Sequence, residues 1–223
     1  MDVIAGRDVA IPCGDITLEG LLHTPDGTGP SPGIVVCHPH PQYGGDMYNN
    51  VVGALVRAAL DSGFAALRFN FRGTGESEGT PAGGQAEPDD VQAACAFLAE
   101  QPEVDSGRVA LAGYSFGAAM ALLASPDVSP AGLALVSLPT IAGELSPPGG
   151  AFPLLLVSGD RDEYSDTAAL ARLAEAAGES DVLQTRRGSV GRARLEVIPG
   201  VDHFWAGSDD RLIETAAAFL RTL

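Results

Sequence analysis

The sequence contains no lysine. All 13 of its basic residues are arginine, and 29 acidic residues outnumber them, so that the formal net charge is −16 over 223 residues. A surface with this excess of negative charge repels nucleic acids and anionic membrane surfaces. We therefore expect neither as a partner. We also expect no metal ion and no organic cofactor.

Long apolar runs are missing too, and cysteines are few. No run approaches the ~18–20 residues that span a bilayer, and the first ten residues, MDVIAGRDVA, lack the pattern of a secretory signal. The three cysteines Cys13, Cys37 and Cys95 cannot complete a set of disulfides, so we expect free, buried thiols. These absences predict a soluble, cytoplasmic protein.

Short apolar runs alternate with helical patterns along the chain, which predicts a single domain over residues 1–223. Two alternating strands come first and repeated strand–helix units follow. The fold class is therefore α/β, with a mostly parallel sheet covered by helices on both faces and the functional residues at the carboxyl ends of its strands. The predicted strands cover residues 7–11, 16–24, 33–38, 64–71, 109–112, 133–138, 154–158 and 195–198, and the predicted helices cover residues 49–61, 87–100, 116–125, 167–177 and 209–220.

One serine stands where a strand turns directly into a helix. The stretch VALAGYSFGAAMALLA places Ser115 between two glycines in a G-x-S-x-G pattern. Such a corner pushes the hydroxyl into the open, and the N–H groups that begin the helix favour developing negative charge. The alternative is an ordinary glycine-rich turn. The agreement of strand, helix and sheet position favours a nucleophile.

A serine hydroxyl is a poor nucleophile until a base takes its proton, and the sequence has only four histidines. His203 follows the last predicted strand, at the sheet edge where Ser115 is expected, and we interpret it as the base. A carboxylate must then hold the imidazole. The turn after the seventh predicted strand offers Asp160, Asp162 and Glu163.

The chain order of serine, acid and histidine is that of α/β-hydrolases. The sequence resembles this superfamily over nearly its whole length. More narrowly, it resembles the small branch without a cap domain, near dienelactone hydrolases and short-chain carboxylesterases. The stretches that carry the narrow resemblance are HPHPQYGG at 38–45, MYN at 47–49, NFRGTGES at 70–77 and DHF at 202–204.

The resemblance implies roles for particular residues. The acid of this branch ends a G-x-x-D pattern, which Asp162 does here, with Asp160 in reserve. It also implies an oxyanion hole formed by the backbone N–H of Phe116 and an N–H from the loop after the third predicted strand. In that loop Pro39 has no N–H, so His40 is the second donor. The alternative is that His40 is a surface loop residue.

The substrate side of the site is expected to be open and shallow. Only residues 139–152 stand where many α/β-hydrolases insert a cap. An open site favours acyl groups of about two to four carbons, because a methylene contributes only where a wall excludes water. The arginine-rich segment 186–194 is either a solvated hairpin or a flap near the site. The apolar residues expected nearest the site, which could equally belong to the core, are Tyr43, Met47, Tyr48, Phe204 and Trp205.

These observations predict a serine hydrolase that cleaves short-chain carboxylic esters through an acyl-enzyme, with a small-molecule ester as its partner. The same triad could serve a thioesterase or a hydrolase of lactones, dienelactones or amides. A non-catalytic binding protein on this fold is a further alternative. The intact serine, aspartate and histidine argue against it.

Overall fold

The computed structural model describes residues 5–27, 29–141, 145–179 and 193–223. The arginine-rich segment lies outside these ranges up to residue 192. Within them the chain forms one eight-stranded sheet and five α-helices. The strands are β1 (Arg7–Cys13), β2 (Ile16–His23), β3 (Ser31–Cys37), β4 (Ala65–Phe69), β5 (Val104–Tyr114), β6 (Leu133–Val136), β7 (Leu154–Gly159) and β8 (Ala193–Ile198); the helices are α1 (Asn50–Asp61), α2 (Glu87–Ala99), α3 (Phe116–Val128), α4 (Thr167–Glu179) and α5 (Asp209–Leu220).

Every strand and helix predicted from the sequence is present, and the differences lie at the ends of elements. The side chain of Asn49 caps α1 by accepting a hydrogen bond from the N–H of Val51 at 2.9 Å, as its position predicts. β5 begins at Val104, which pairs with Ser31, and a register shift separates this pair from the regular pairing that starts at Val109. The residues between them are mostly exposed, so the sequence shows no continuous apolar run over this part of the strand. α3 continues beyond residue 125 and includes Pro126 near its end.

The order of strands in the sheet creates a crevice. The order is β1-β2-β4-β3-β5-β6-β7-β8, and all pairs from β4 to β8 are parallel, while β1 and β2 are antiparallel additions at one edge. The chain runs from β3 to β4 on one side and then crosses to β5 on the other. In open α/β sheets, ligands bind outside the carboxyl ends of strands at such a reversal. The loops after β3 and β5 therefore flank the expected site.

The central strands are buried on both faces of the sheet. In β3, Val35 and Cys37 pack on the side of α2, α3 and α4, while Ile34 and Val36 pack on the side of α1 and α5. This period of two explains why the run reads as continuously apolar. The three cysteines are all buried and free, as predicted. No helix within the described ranges has the length and apolarity to cross a bilayer.

Candidate active site

Ser115 occupies the turn between β5 and α3 in a strained conformation. Its φ is 54° and its ψ is −119°, a region that residues other than glycine rarely adopt. The first turn of α3 also lies against the end of β3, because a Cβ added at Gly117 would be 2.4 Å from the carbonyl oxygen of Cys37. The second glycine of the pattern is therefore required by close packing, and the strained turn presents the hydroxyl at the crevice.

Three side chains meet at this turn in one line of hydrogen-bonding distances. The Oγ of Ser115 lies 3.0 Å from Nε2 of His203, and Nδ1 of His203 lies 2.9 and 3.0 Å from the two carboxylate oxygens of Asp162. The carboxylate side chain is fully buried, while the imidazole is 11% exposed. Because a carboxylate accepts, Nδ1 carries the proton, and Nε2 is left with a lone pair that faces the serine hydroxyl.

The environment of Asp162 keeps it ionised. Burial alone would raise the pKa of this carboxyl, but hydrogen bonds from His203 and Ser137 outweigh it and hold the pKa below its usual value. The backbone N–H of Tyr164 also donates to Oδ1 at 3.0 Å. Asp160, the reserve candidate, does not contact His203. Its carboxylate instead accepts a hydrogen bond from the N–H of Gly200 at 2.6 Å.

The support behind Asp162 includes two further strained residues. Ser137 and Trp205 both have positive φ, 48° and 60°, and both are fully buried. The indole N–H of Trp205 donates to the Ser137 hydroxyl oxygen at 2.9 Å. A strained backbone conformation persists only where its surroundings impose it. Here the loops after β6 and β8 are fixed against each other behind the buried carboxylate.

The loop that carries His203 is held from two more directions. The hydroxyl of Tyr114, the residue before the serine, donates to the backbone carbonyl of His203 at 2.8 Å. A Cβ added at Gly159 would lie 1.9 Å from the carbonyl oxygen of Val201, so only glycine lets this loop approach the end of β7. Sequence reasoning missed Tyr114, because its position beside Ser115 gives no sign of a bond to a residue 89 positions away.

Two backbone N–H groups at the crevice have no acceptor within the described residues. They belong to Phe116, the first residue of α3, and His40, in the loop after β3. The buried His38 orients the second of them. Its Nδ1 lies 2.6 Å from the carbonyl oxygen of Pro39, and its Nε2 accepts from the N–H of Phe71 at 3.0 Å.

This bracing by His38 fixes the direction of the His40 N–H. The carbonyl of Pro39 and the N–H of His40 belong to one trans peptide and point in opposite directions, so the N–H points away from His38. Burial lowers the pKa of His38 to about 4, so its ring stays neutral near neutral pH and keeps this pair of hydrogen bonds.

A cavity of about 1130 Å³ opens at the Ser115 hydroxyl. Of the apolar residues expected there, Tyr43 and Phe204 line it. Met47 and Trp205 do not: they are 1% and 0% exposed and belong to the core. Tyr48 lines a neighbouring depression instead. The cavity is more extensive than the sequence suggested, because residues of the 139–152 segment and the exposed face of α3 line it as well.

The remaining candidates have structural environments. Arg72 forms a charge-assisted pair with the buried Asp90 at 2.6 Å, which ties the NFRGTGES loop to α2. Burial raises the pKa of the Cys13 thiol to about 11 and that of Cys95 to about 12. These thiols stay protonated near neutral pH, so they are poor nucleophiles. Within the described ranges, no group of three or more His, Cys, Asp or Glu side chains could hold a metal ion.

Comparison with known families decides the relationship. The profile of the X-Pro dipeptidyl-peptidase family, S15, matches residues 14–195. The chain belongs to the S15 family. The α/β-hydrolase resemblance of the sequence is confirmed, and the protein is a hydrolase of this superfamily.

Solved structures and a curated relative place this S15-family chain more closely. It is similar to a serine α/β-hydrolase without a lid from Xanthomonas campestris, with 26% identity, a TM-score of 0.82 and coverage of 97% of this chain and 94% of that one. An α/β serine hydrolase homologue from Coxiella burnetii is 29% identical, with a TM-score of 0.80 and coverage of 99% and 100%. An uncharacterised protein of Rickettsia prowazekii is 40% identical over 93 residues, and the match spans only 38% of that relative's length.

Proposed function

We propose that the protein hydrolyses carboxylic esters through an acyl-enzyme on Ser115. The observation that carries the proposal is the line from the serine Oγ to His203 at 3.0 Å and on to Asp162 at 2.9 Å. In this arrangement the base is already within reach of the proton that it must take. The buried carboxylate fixes its tautomer.

The acylation step follows from these positions. Nε2 of His203 takes the proton of the Ser115 hydroxyl while Oγ forms a bond to the carbonyl carbon of the ester. The carbonyl oxygen becomes an oxyanion, and the N–H groups of Phe116 and His40 supply two donors for it. When the intermediate collapses, the ester C–O bond breaks and the imidazolium returns its proton to the leaving alcohol.

Deacylation repeats the same chemistry with water. His203 takes a proton from a water molecule as that water attacks the acyl carbon. Collapse of the second oxyanion breaks the bond to Oγ, and the proton returns to Ser115. Asp162 stays ionised throughout and stabilises the imidazolium that forms in each half-reaction.

The cavity supports ester cleavage rather than the removal of X-Pro dipeptides. A dipeptidyl-peptidase must accommodate the ammonium group of a free peptide N-terminus, and a desolvated ammonium needs an anionic or strongly polar partner. Among the described residues that line the cavity there is no aspartate and no glutamate. A neutral acyl group therefore fits this lining better than a charged peptide end.

Labelling with a fluorophosphonate probe tests the proposal, because only an activated serine reacts with it. We expect one equivalent of label on Ser115 and turnover of aryl esters, with slower turnover of an acyl-thioester, a lactone and an X-Pro arylamide. Faster turnover of the X-Pro arylamide than of every ester would transfer the proposal to peptide cleavage. Absence of label on the folded protein would overturn the serine mechanism.

The pH dependence of ester hydrolysis follows from the groups around the serine. A histidine base works only when neutral, so kcat/KM should rise with pH and then level off. The pKa of Asp162 lies below its usual value and that of His38 is lowered to about 4, so neither group adds a second step to the profile near neutral pH. The measurement is kcat/KM for an aryl ester from pH 5 to 9.

A flat profile over this range with folded enzyme would contradict a histidine base. A midpoint near 4 would indicate direct action by a carboxylate.

A further inference from the structure

The cavity at Ser115 extends well beyond the reacting atoms. Its volume of about 1130 Å³ lies slightly above the ~300–1,000 Å³ that small-molecule sites occupy. None of the described residues that line it is Asp, Glu or Arg, although the chain has 29 acidic residues and a net charge of −16. A described lining without Asp, Glu or Arg on so acidic a protein favours an apolar ligand.

One wall of the groove is a single face of α3. Phe116, Ala119, Leu123 and Pro126 all line the cavity, and their spacings of three, four and three residues place them along one side of the helix. This row of four apolar side chains, called the α3 stripe below, begins at the residue next to the nucleophile. The ten residue steps from its first to its last member cover about 15 Å of helix at 1.5 Å per residue.

The lining includes apolar side chains that nothing in the described chain covers. Leu123 on α3 is 58% exposed, and Ile141, in the segment after β6, is 71% exposed. A lone exposed leucine is ordinary. Here both side chains belong to one apolar cavity that starts at the serine hydroxyl, so a ligand bound to the serine would cover them.

We infer that this groove is an acyl-chain subsite, selective for esters of unbranched fatty acids of roughly eight to twelve carbons. The length follows from the α3 stripe of about 15 Å and C–C bonds of about 1.5 Å, which advance an extended chain by roughly 1.3 Å per carbon. The inference rests on the proposed ester hydrolysis at Ser115, and it replaces the expectation of short acyl groups.

The acyl part of the ester, rather than its alcohol, fits the α3 end of the groove. The leaving alcohol takes its proton from His203, so it occupies the end of the cavity that His203 and Phe204 line. The N–H of Phe116 holds the oxyanion at the start of α3. The direction that remains for the acyl chain is along the helix, past Leu123.

The test measures kcat/KM for p-nitrophenyl esters from acetate to myristate, at concentrations where each ester is monomeric. Decanoate has six more methylenes than butyrate, and each contributes up to about fourfold when fully buried. In a groove that is open on one side each methylene is only partly buried, so the increase per methylene is smaller than fourfold. We therefore expect kcat/KM to be at least about tenfold higher for decanoate than for butyrate. A second series of alkyl acetates lengthens the alcohol instead.

Leu123→Asp places a charge in the middle of the α3 stripe, and it should lower the decanoate-to-butyrate ratio of kcat/KM by about tenfold. The control is Val197→Asp, which adds the same charge at another exposed apolar residue, on β8 and outside the cavity, where Val197 is 39% exposed. This control should leave the ratio unchanged. Leu123→Met, which keeps an apolar side chain of similar size, should also preserve it.

The outcomes separate this inference from the proposed function. If the wild type hydrolyses esters but prefers acetate or butyrate, or if Leu123→Asp and Val197→Asp change the ratio equally, the acyl subsite is wrong and ester hydrolysis stands. If kcat/KM increases with the length of the alcohol in the alkyl acetates rather than with the length of the acyl group, the groove binds the leaving group and the inference is overturned. If no ester of any length is cleaved and Ser115 is not labelled, the proposed function itself fails.

Discussion

The Ser115→Ala variant is expected to lose ester hydrolysis almost completely, with kcat reduced by roughly 10⁴- to 10⁶-fold. The substitution removes the Oγ that lies 3.0 Å from His203 and leaves no other nucleophile in line with the imidazole. Folding should be preserved, because the hydroxyl faces the crevice and contributes no packing. We expect the free energy of unfolding in urea to change by less than about 1 kcal/mol.

A second serine provides the matched control for the backbone. Ser129 also has a positive φ, 49° against 54° for Ser115, and it lies at the other end of α3. The ψ of Ser129 is 61°, in the ordinary left-handed region, against −119° for Ser115. Ser129→Ala therefore makes the same chemical change at a residue of positive φ away from the crevice. Its activity should equal that of the wild type. Near-full activity in a folded Ser115→Ala protein would refute the acyl-enzyme mechanism.

The fold could be read from the sequence because its signals are local. Each central strand is buried on both faces, so β3 and β7 appear as continuous apolar runs, and α1 carries its capping Asn49 in the sequence itself. The ends of β5 and α3 were less visible. β5 starts with one paired residue, Val104, followed by an irregular, mostly exposed stretch, and α3 includes a proline near its end, where the sequence predicts a stop.

The positions of Ser115, His203 and Asp162 could likewise be predicted, since each follows a strand at the same edge of the sheet. The contacts that hold these three side chains in place could not be predicted. The sequence suggests that Trp205 is an apolar loop residue near the substrate. In the structure it is fully buried, and its indole N–H donates a hydrogen bond to Ser137 behind the carboxylate. That arrangement depends on positive φ at two residues that are not glycine and on a contact across 68 positions, and neither leaves a pattern in the sequence.

The groove was missed for a related reason. Its walls come from the outer face of α3 and from the segment after β6. The sequence predicts α3 only as a helix, with no indication of which face is exposed, and the segment after β6 only as a connection too short for a cap. Leu123 follows Leu122, which is 8% exposed, so an apolar run in the sequence conceals a change from a buried to an exposed face. Only the packing of α3 against the sheet distinguishes the two.

Asp162→Asn is expected to lower kcat by about 10⁴-fold with little change in KM. The amide keeps the size of the carboxylate and can still contact the N–H of Tyr164. It carries no charge to stabilise the imidazolium, and its NH₂ group can hold His203 in the tautomer that points a proton at Ser115. The measurement is steady-state turnover of an aryl ester, with unfolding in urea to confirm that the variant is folded.

Asp160→Asn is the matched control two residues away. The Asp160 carboxylate accepts one hydrogen bond, from the N–H of Gly200 at 2.6 Å, and an asparagine oxygen can accept the same bond. We expect kcat to fall by less than about threefold, since only the charge assistance to that bond is lost. If Asp160→Asn proved the more damaging of the two, Asp160 would be the partner of His203, and the contact at 2.9 Å between His203 and Asp162 would have to give way during turnover.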